Sequence, residues 1–251
     1  MRGKKVAVIS SSILAFLTLS SLVGLAFTGK YVGWGPFKNL FWGTEVKRVK
    51  KSYAYKKNQN GIVFYGASNF RLWTERDKDL SDYPVVNAGF GGSTDKLLDQ
   101  YAEELLFPYN PKVVFFQTGS NDYVEAKGAE EEKISSCMEY KKKRFDHFHK
   151  RLPEAKFVIR SGLLLPGRSE YTSLTLKINQ ELKNYALSFE YIYYVDANDL
   201  TYDGVKYRND LFISDGIHLN HTGQLLWCEG YIRPQIESLI TEYPDLRSLK
   251  K

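Results

Sequence analysis

The sequence has little cysteine and no motif of paired cysteines. Its 251 residues include only Cys137 and Cys228, which are far apart and outside any C-x-x-C spacing. Two thiols cannot make a zinc site alone, and a disulfide framework needs more of them. We therefore expect two buried free thiols, with one disulfide as the alternative if the chain is exported.

A net positive charge is lacking in the larger part of the chain. The formal net charge is +6, but residues 1–29 contribute +3, residues 30–60 contribute +7, and residues 61–251 contribute −4. A nucleic-acid-binding domain would be expected to carry its positive charge on the fold itself. We therefore expect no nucleic-acid partner, and the basicity belongs to the N-terminal arm.

Charge is missing altogether from residues 6–27, which follow the basic start MRGKK. A basic start before an apolar run is an export signal, and this run reaches the ~20 residues that span a bilayer. No A-x-A-like cleavage site follows. We predict that residues 1–29 are an uncleaved signal anchor, a single-pass anchor in the cell membrane, and that the body lies outside the cytoplasm. Secretion after cleavage of a signal peptide is the alternative.

Residues 30–60 are predicted to form a basic and aromatic juxtamembrane linker. The stretch 28–42 contains aromatic side chains that suit the headgroup region, and 47–57 favours a helix leading into the next domain. Two interpretations of this basic stretch stay open, contact with an anionic lipid or wall polymer and a solvated linker helix.

From residue 61 onward, short apolar runs alternate with longer amphipathic stretches. Nearly continuous apolar runs are typical of strands covered on both faces. The predicted strands are 62–65, 84–87, 113–117, 157–161 and 191–195, and the predicted helices lie near 94–106, 130–151, 173–189 and 221–241. This alternation predicts an α/β domain over residues 61–251, with a parallel sheet of about five strands and helices on both faces.

Small polar residues follow several of the predicted strands. GASN follows the first strand, AGFGGST the second and TGSND the third, while SDGIHLN comes after a long loop beyond the fifth. In open parallel sheets, ligands bind beyond the carboxyl ends of the strands. We therefore expect these stretches to converge at one edge of the sheet.

The residue types in these stretches suit nucleophilic catalysis. Ser68 is the candidate nucleophile, His218 its base, and Asp215, three residues before His218, the group that orients the imidazole. The Ser68 N–H, the Gly92 N–H and the Asn121 side-chain amide are the candidate donors of an oxyanion hole.

The four stretches resemble the sequence blocks of the SGNH (GDSL-type) serine hydrolases. Ser68 matches the block I nucleophile, Gly92 the block II glycine, Asn121 the block III asparagine, and Asp215 with His218 the block V pair. The resemblance covers about residues 60–240. It implies a flavodoxin-like three-layer α/β/α fold and ester hydrolysis through an acyl-serine, with no metal or cofactor.

One block departs from the usual family pattern. Block I reads Gly66-Ala67-Ser68-Asn69 instead of Gly-Asp-Ser-Leu, which removes a supporting acid but no triad member. A Gly-x-Ser-x-Gly elbow is also missing because position 70 is Phe, which argues against an α/β-hydrolase.

Other polar residues are weaker candidates for the catalytic site. Ser93 and Ser120 are rival nucleophiles by composition, but a helix cap and a turn explain them. His147 and His149 lie two apart on a predicted helix, face different directions, and do not indicate a metal site. The candidate substrate contacts are Asn69, Arg71, Asp122 and His221. Their structural alternatives are packing of the first helix for Arg71, support of the Asn121 loop for Asp122, and capping of the last helix for His221.

These residues predict a serine esterase. The aromatic content of 15% and the lack of a long, exposed apolar lid favour a short acyl group, such as acetyl, on a carbohydrate or cell-envelope polymer as the substrate. An O-acyltransferase could use the same residues with a sugar hydroxyl as acceptor. A catalytically silent glycan-binding protein on the same fold is the third hypothesis. Nothing in the sequence identifies a protein partner.

Overall fold

The computed structural model describes residues 35–251, with side chains from residue 42 onward. The signal anchor predicted for residues 1–29 lies outside this part of the chain. Among residues 35–251, no helix is both long enough and apolar enough to cross a bilayer.

Parallel strands form a five-stranded sheet in the order β2-β1-β3-β4-β5. The strands are β1 (Ile62–Gly66), β2 (Val85–Asn87), β3 (Val113–Gln117), β4 (Lys156–Arg160) and β5 (Ile192–Val195). In the central register, Ile62 of β1 pairs with Val85 on one side and with Val113 on the other. This strand order is that of flavodoxin-like folds. The predicted α/β fold with a five-stranded parallel sheet is confirmed.

Helices connect the strands and flank the sheet. They are α1 (Gly35–Ser52), α2 (Ser68–Arg71), α3 (Arg76–Asp79), α4 (Asp95–Leu105), α5 (Ser120–Glu125), α6 (Glu130–Arg151), α7 (Thr172–Ala186), α8 (Asn198–Thr201), α9 (His221–Trp227) and α10 (Arg233–Glu242). Short 3-10 segments cover Tyr55–Lys57, Phe107–Tyr109, Pro166–Tyr171, Asn209–Leu211 and Pro244–Leu249.

Alternate strand residues pack on opposite faces of the sheet, because successive side chains of a strand point in opposite directions. Phe64 and Phe115 belong to a core that also contains Trp227 and Ile236, near the C-terminal helices. Tyr65 and Phe116 lie on the other face, where the Phe116 ring stacks on Phe148 of α6 with centroids 5.7 Å apart. All residues of β1 and β3 are buried, as the continuous apolar runs predicted.

The C-terminal helix is interrupted, whereas the sequence pattern predicted one helix over 221–241. Between α9 and α10 the chain forms a π-helical segment, Cys228–Ile232. Pro234 lies in the first turn of α10, and its ring and missing N–H disfavour regular α-helical bonding to the preceding turn. The wider π-helical turn relieves this conflict.

The end of α1 packs with the body of the protein. Contacts place Glu45–Lys251 in one compact unit, and the Arg48 guanidinium donates to the Gly89 carbonyl at 2.7 Å. The helix predicted over 47–57 ends at Ser52 and is followed by the 3-10 segment Tyr55–Lys57. The domain start predicted at residue 61 stays a prediction.

Candidate active site

Ser68 lies where β1 ends and α2 begins. It is the first residue of α2 and is partly exposed, whereas Ile62–Gly66 are buried. A Cβ atom at Gly66 would lie 2.4 Å from the Gln117 carbonyl oxygen and 3.0 Å from the Phe70 ring. Only glycine fits at this close approach of β1 to β3. Ser68, two residues further along the chain, lies at the carboxyl edge of the sheet.

His218 and Asp215 lie on a tight loop that brings the imidazole to Ser68. The His218 Nε2 atom is 2.7 Å from the Ser68 Oγ, and its Nδ1 is 2.6 Å from the Asp215 Oδ2. The other carboxylate oxygen of Asp215 accepts the N–H groups of Ile217 at 2.8 Å and His218 at 3.0 Å. The structure therefore joins the three predicted side chains in one chain of hydrogen bonds.

The loop keeps the Asp215 carboxylate ionised. Burial raises the pKa of Asp215, but hydrogen bonds from the His218 N–H, the His218 ring and the Ile217 N–H outweigh burial and hold the pKa below its usual range. An ionised Asp215 accepts the Nδ1–H of His218 and thus favours the tautomer whose Nε2 can accept the Ser68 proton.

Asn69 connects the nucleophile to the histidine loop. Its Oδ1 accepts the Leu219 N–H at 3.1 Å, and its Nδ2 donates to the Ile217 carbonyl at 3.4 Å. These two backbone groups flank His218, and Asn69 is only 6% exposed. We therefore reassign Asn69, predicted as a candidate substrate contact, to support of the His218 loop.

The candidate oxyanion donors lie in the segments that follow β1, β2 and β3, with Ser68 in α2 and Asn121 in α5. Gly92 has a φ of +67°, a left-handed conformation that disfavours other residues. The Asn121 Nδ2 donates to the Ser93 carbonyl at 3.0 Å, which ties the loop after β3 to the loop after β2. The Ser68 N–H lies in the first turn of α2, where N–H groups have no intrahelical acceptor.

A buried cluster of charged side chains connects the segments that follow β2 and β3. Lys141 of α6 lies 2.5 Å from the Asp95 Oδ2 and also donates to the Thr118 hydroxyl at 2.9 Å. Arg144 forms a second ion pair with Asp95, and all three charged side chains are buried. Because Asp95 begins α4 after the Gly92 loop and Thr118 follows β3, the cluster fixes one loop against the other.

Asp122 also belongs to this support. Its Oδ1 accepts the Asp95 N–H at 2.8 Å, while its Oδ2 is buried without a hydrogen-bond partner among the described residues. Burial raises the pKa of Asp122 to about 6. We therefore reassign Asp122 from candidate substrate contact to the bracing role that was its structural alternative.

The two remaining candidate substrate contacts lie in different surroundings. Arg71 forms an ion pair with the buried Glu45 of α1, with its Nη2 3.0 Å from the Glu45 Oε1, so packing explains it. His221 is exposed at the start of α9. It does not cap this helix, since the Asn220 Oδ1 accepts the Gly223 N–H at 3.0 Å.

A groove of about 560 Å³ lies beside His218. Its wall combines apolar side chains with hydroxyl, carboxylate, imidazole and amide groups. The lining residues are Leu72, Thr74, Glu75, Ile213, His218, Leu219, Asn220, His221 and Gln224. The groove therefore offers both apolar surface and hydrogen-bonding groups next to the imidazole.

Ser93, Ser120, His147 and His149, the other serines and histidines considered from the sequence, have surroundings that do not indicate catalysis. The helix cap predicted for Ser93 is wrong, because Thr94 is the N-cap residue of α4 and the buried Ser93 hydroxyl has no hydrogen-bond partner among residues 35–251. Ser120 is the first residue of α5. His147 pairs with Asp99 at 2.7 Å, and the His149 ring stacks on Tyr191 with centroids 3.6 Å apart.

The described residues also contain no group of three or more His, Cys, Asp or Glu side chains placed to hold a metal ion. Cys137 and Cys228 are both buried free thiols, as predicted.

The geometry provides the parts of an acyl-transfer site. A serine hydroxyl contacts an imidazole, the imidazole contacts a carboxylate, and two loops bring further donors to the same sheet edge. Such an arrangement can activate the hydroxyl and stabilise a developing oxyanion.

Comparison with known families agrees with this fold and geometry. Residues 60–226 match the model of the GDSL-like lipase/acylhydrolase family. The chain belongs to this family, as the resemblance of its four sequence blocks indicated. No curated protein matches the chain.

Solved structures of similar fold come from several bacteria. A Streptococcus pneumoniae protein provisionally described as a platelet activating factor has a TM-score of 0.64 and 17% identity, over 79% of this chain and 96% of that one. The C-terminal catalytic domain of S. pneumoniae peptidoglycan O-acetyltransferase A, with a methylsulfonyl adduct, has a TM-score of 0.53 and 16% identity, over 72% and 94%.

A third structure is an Axe2 mutant, an acetyl-xylooligosaccharide esterase from Geobacillus, with a TM-score of 0.54 and 15% identity over 68% and 92% of the two chains. At these identities the likeness extends to the fold alone.

Proposed function

We propose that this protein is a serine esterase that cleaves a short acyl group, such as acetyl, from a carbohydrate or cell-envelope polymer. The observation that carries the proposal is the contact of the His218 Nε2 with the Ser68 Oγ at 2.7 Å, while Asp215 holds the Nδ1 at 2.6 Å. Membership of the acylhydrolase family supports the same reaction class.

In the first half of the reaction, the Ser68 Oγ attacks the ester carbonyl carbon and its proton passes to the His218 Nε2. The carbonyl oxygen becomes an oxyanion, which accepts hydrogen bonds from the Ser68 N–H, the Gly92 N–H and the Asn121 amide. The ester C–O bond then breaks, and His218 returns the proton to the departing alcohol oxygen.

In the second half, a water molecule attacks the acyl-serine while His218 accepts its proton. The Ser68 Oγ leaves and regains the proton, so the acid is released and the site is restored. Asp215 stays ionised throughout and stabilises the transient imidazolium.

The groove beside His218 supports a polar alcohol as the leaving group. His218 must protonate the leaving oxygen, so the alcohol binds on the imidazole side while the carbonyl oxygen faces Gly92 and Asn121. The groove lies on the imidazole side and offers Thr74, Glu75 and other polar groups that can bind hydroxyls. Its volume of about 560 Å³ is within the range of small-molecule sites.

Hydrolysis of p-nitrophenyl acetate and of acetylated sugars tests the proposal. We expect Ser68→Ala to lose at least about 10³-fold in kcat, because the nucleophile is removed. Ser81→Ala, which changes an exposed serine, is the matched control and should retain wild-type activity. Wild-type hydrolysis by Ser68→Ala would refute the assignment.

An O-acyltransferase is the second candidate, since the same residues could transfer the acyl group to a sugar hydroxyl. The similarity in fold to a peptidoglycan O-acetyltransferase domain favours keeping it. Incubation with p-nitrophenyl acetate and a glycan acceptor, followed by mass spectrometry of the glycan, separates the two. Free acetate alone supports the esterase, and acetylated glycan supports the transferase.

The location of the protein is also a proposal, and it rests on the sequence of residues 1–29. We propose a single-pass anchor with the hydrolase domain outside the cytoplasm. Protease treatment of intact cells tests it, because an external domain is degraded before lysis. A domain protected until lysis would contradict the proposal.

A further inference from the structure

Arg168 is a residue of the site edge that no sequence block contains. It lies in the 3-10 segment Pro166–Tyr171, in the connection between β4 and α7. This segment contacts the loop of the proposed acid and base, since the Gly167 N–H donates to the Gly216 carbonyl at 2.9 Å. The backbone of Arg168 therefore lies beside the Asp215 loop, and Arg168 is partly buried.

The guanidinium of Arg168 reaches the loop after β3. Its Nη1 and Nη2 atoms both lie 3.3 Å from the Asn121 Oδ1 and donate to it. The other end of the same amide is also occupied, because the Asn121 Nδ2 donates to the Ser93 carbonyl at 3.0 Å. Each end of the Asn121 amide therefore has a partner of the complementary type.

These contacts determine the orientation of the amide. If the Asn121 side chain were flipped, its NH₂ group would face the donors of Arg168 and its oxygen would face the Ser93 carbonyl. Two attractive contacts would become two repulsive ones. In the observed orientation, one of the two Nδ2 hydrogen atoms is donated to the Ser93 carbonyl. The other Nδ2 hydrogen atom is left to bond the substrate.

The charge of Arg168 adds to this effect. Among residues 35–251 no ion pair joins Arg168 to a carboxylate, although most arginines of the region have one. A cationic donor on the amide oxygen polarises the amide and strengthens its N–H as a donor.

We propose that Arg168 is a positioning residue that holds the Asn121 amide in its donating orientation for the oxyanion. The inference rests on the esterase or transferase function proposed above. Under this proposal, the connection after β4 helps to stabilise the transition state, in addition to the nucleophile, the base, the acid and the oxyanion donors.

The test compares Arg168→Met, which removes donor and charge, with Arg168→Lys, which keeps both, using p-nitrophenyl acetate. We expect Arg168→Met to lower kcat about tenfold with KM within about twofold, because only transition-state stabilisation is lost. Arg168→Lys should recover most of kcat. Arg151→Met is the matched control, since Arg151 ends α6 and pairs with Glu103; its kcat should equal that of wild type.

A double-mutant cycle with Asn121→Ala provides the decisive readout. If Arg168 acts through Asn121, Arg168→Met should change kcat by less than about twofold in the Asn121→Ala background. A full tenfold loss there, or an unchanged kcat for Arg168→Met alone, would overturn the proposal. A rise in KM confined to anionic esters would overturn it too, since Arg168 would then bind substrate directly.

Two further controls keep the result unambiguous. Urea unfolding establishes that each variant is folded, and Arg168→Leu, which also lacks a donor and a charge, replaces Arg168→Met with the same expectation if the latter unfolds. Failure of the proposed function is separate, because it would appear as activity that survives Ser68→Ala, whatever residue 168 is.

Discussion

Replacement of Asn69 by alanine tests how the structure delivers His218 to Ser68. The change removes the acceptor of the Leu219 N–H and the donor to the Ile217 carbonyl. Leu219 is 2% exposed, so its N–H loses its partner in a buried place. An unsatisfied buried donor costs about 1–3 kcal/mol, and the longer bond to Ile217 adds little. We therefore expect a loss of about 2 kcal/mol in the free energy of unfolding.

This loss should be visible in both stability and rate. For a domain of this size, about 2 kcal/mol corresponds to a fall in Tm of roughly 4–8 °C. A loosened loop misplaces the imidazole, and misplacement by about 1 Å costs on the order of 10²-fold in rate. Urea unfolding gives the first quantity, and kcat with p-nitrophenyl acetate gives the second.

Asn69→Asp and Asn184→Ala complete the experiment. Asn69→Asp keeps an acceptor for the Leu219 N–H but places a carboxylate oxygen near the Ile217 carbonyl, so we expect an intermediate stability. Asn184 is exposed on α7, and among residues 35–251 its side chain bonds only to Gln180 of the same helix, so its variant should stay within about 0.5 kcal/mol of wild type. An Asn69→Ala protein with wild-type Tm and kcat would refute the supporting role of Asn69.

Three other predictions concern the charged groups of the site. Unfolded Asp122 loses its proton near pH 3.8 but native Asp122 only near pH 6, so the native state binds more protons between these values and the free energy of unfolding falls as pH rises. Asp122→Asn should lack this pH dependence, so the free energy of unfolding of the variant minus that of wild type should rise from pH 4 to pH 6.5. Urea unfolding measures both values, and a difference that does not change with pH would contradict the raised pKa of Asp122. Lys141→Met should cost about 3 kcal/mol in the same assay, because Asp95 loses one of its buried partners; a loss below about 1 kcal/mol would argue against the cluster. Asp215→Asn should reduce kcat by up to about 10⁴-fold with little change in KM, since the imidazole loses its tautomer control; an unchanged kcat would exclude Asp215 from the reaction.

The fold could be predicted from sequence because its signals are local. Each strand is a short apolar run, and the residues of β3 were predicted with their observed bounds. The C-terminal helix was predicted without its π-helical segment, because apolar periodicity continues through Cys228–Ile232 while Pro234 acts on backbone bonding.

The positions of Ser68, His218 and Asp215 could be predicted because parallel strands bring their carboxyl ends to one edge. The support around them could not be predicted in the same way. Asn69 and Asp122 have side chains that suit substrate binding equally well, and only the tertiary contacts assign them to loop backbones.

The buried charges of α6 have a signal in the sequence. Lys141 lies in the run KKKR, which is typical of a solvated face. It also lies three residues after Met138 and four before Phe145, on the apolar face of the helix. A lysine on such a face indicates a buried carboxylate partner. Arg168 had no comparable signal, because its contact joins two connections that are 47 residues apart.

Labelling with a fluorophosphonate probe tests the central claim most directly, since the probe reacts only with an activated serine hydroxyl. Intact mass and peptide mapping should find one adduct per chain, on Ser68, and the adduct should disappear in Ser68→Ala. A folded protein that stays unlabelled, or that carries the adduct on Ser93 or Ser120, would contradict the account.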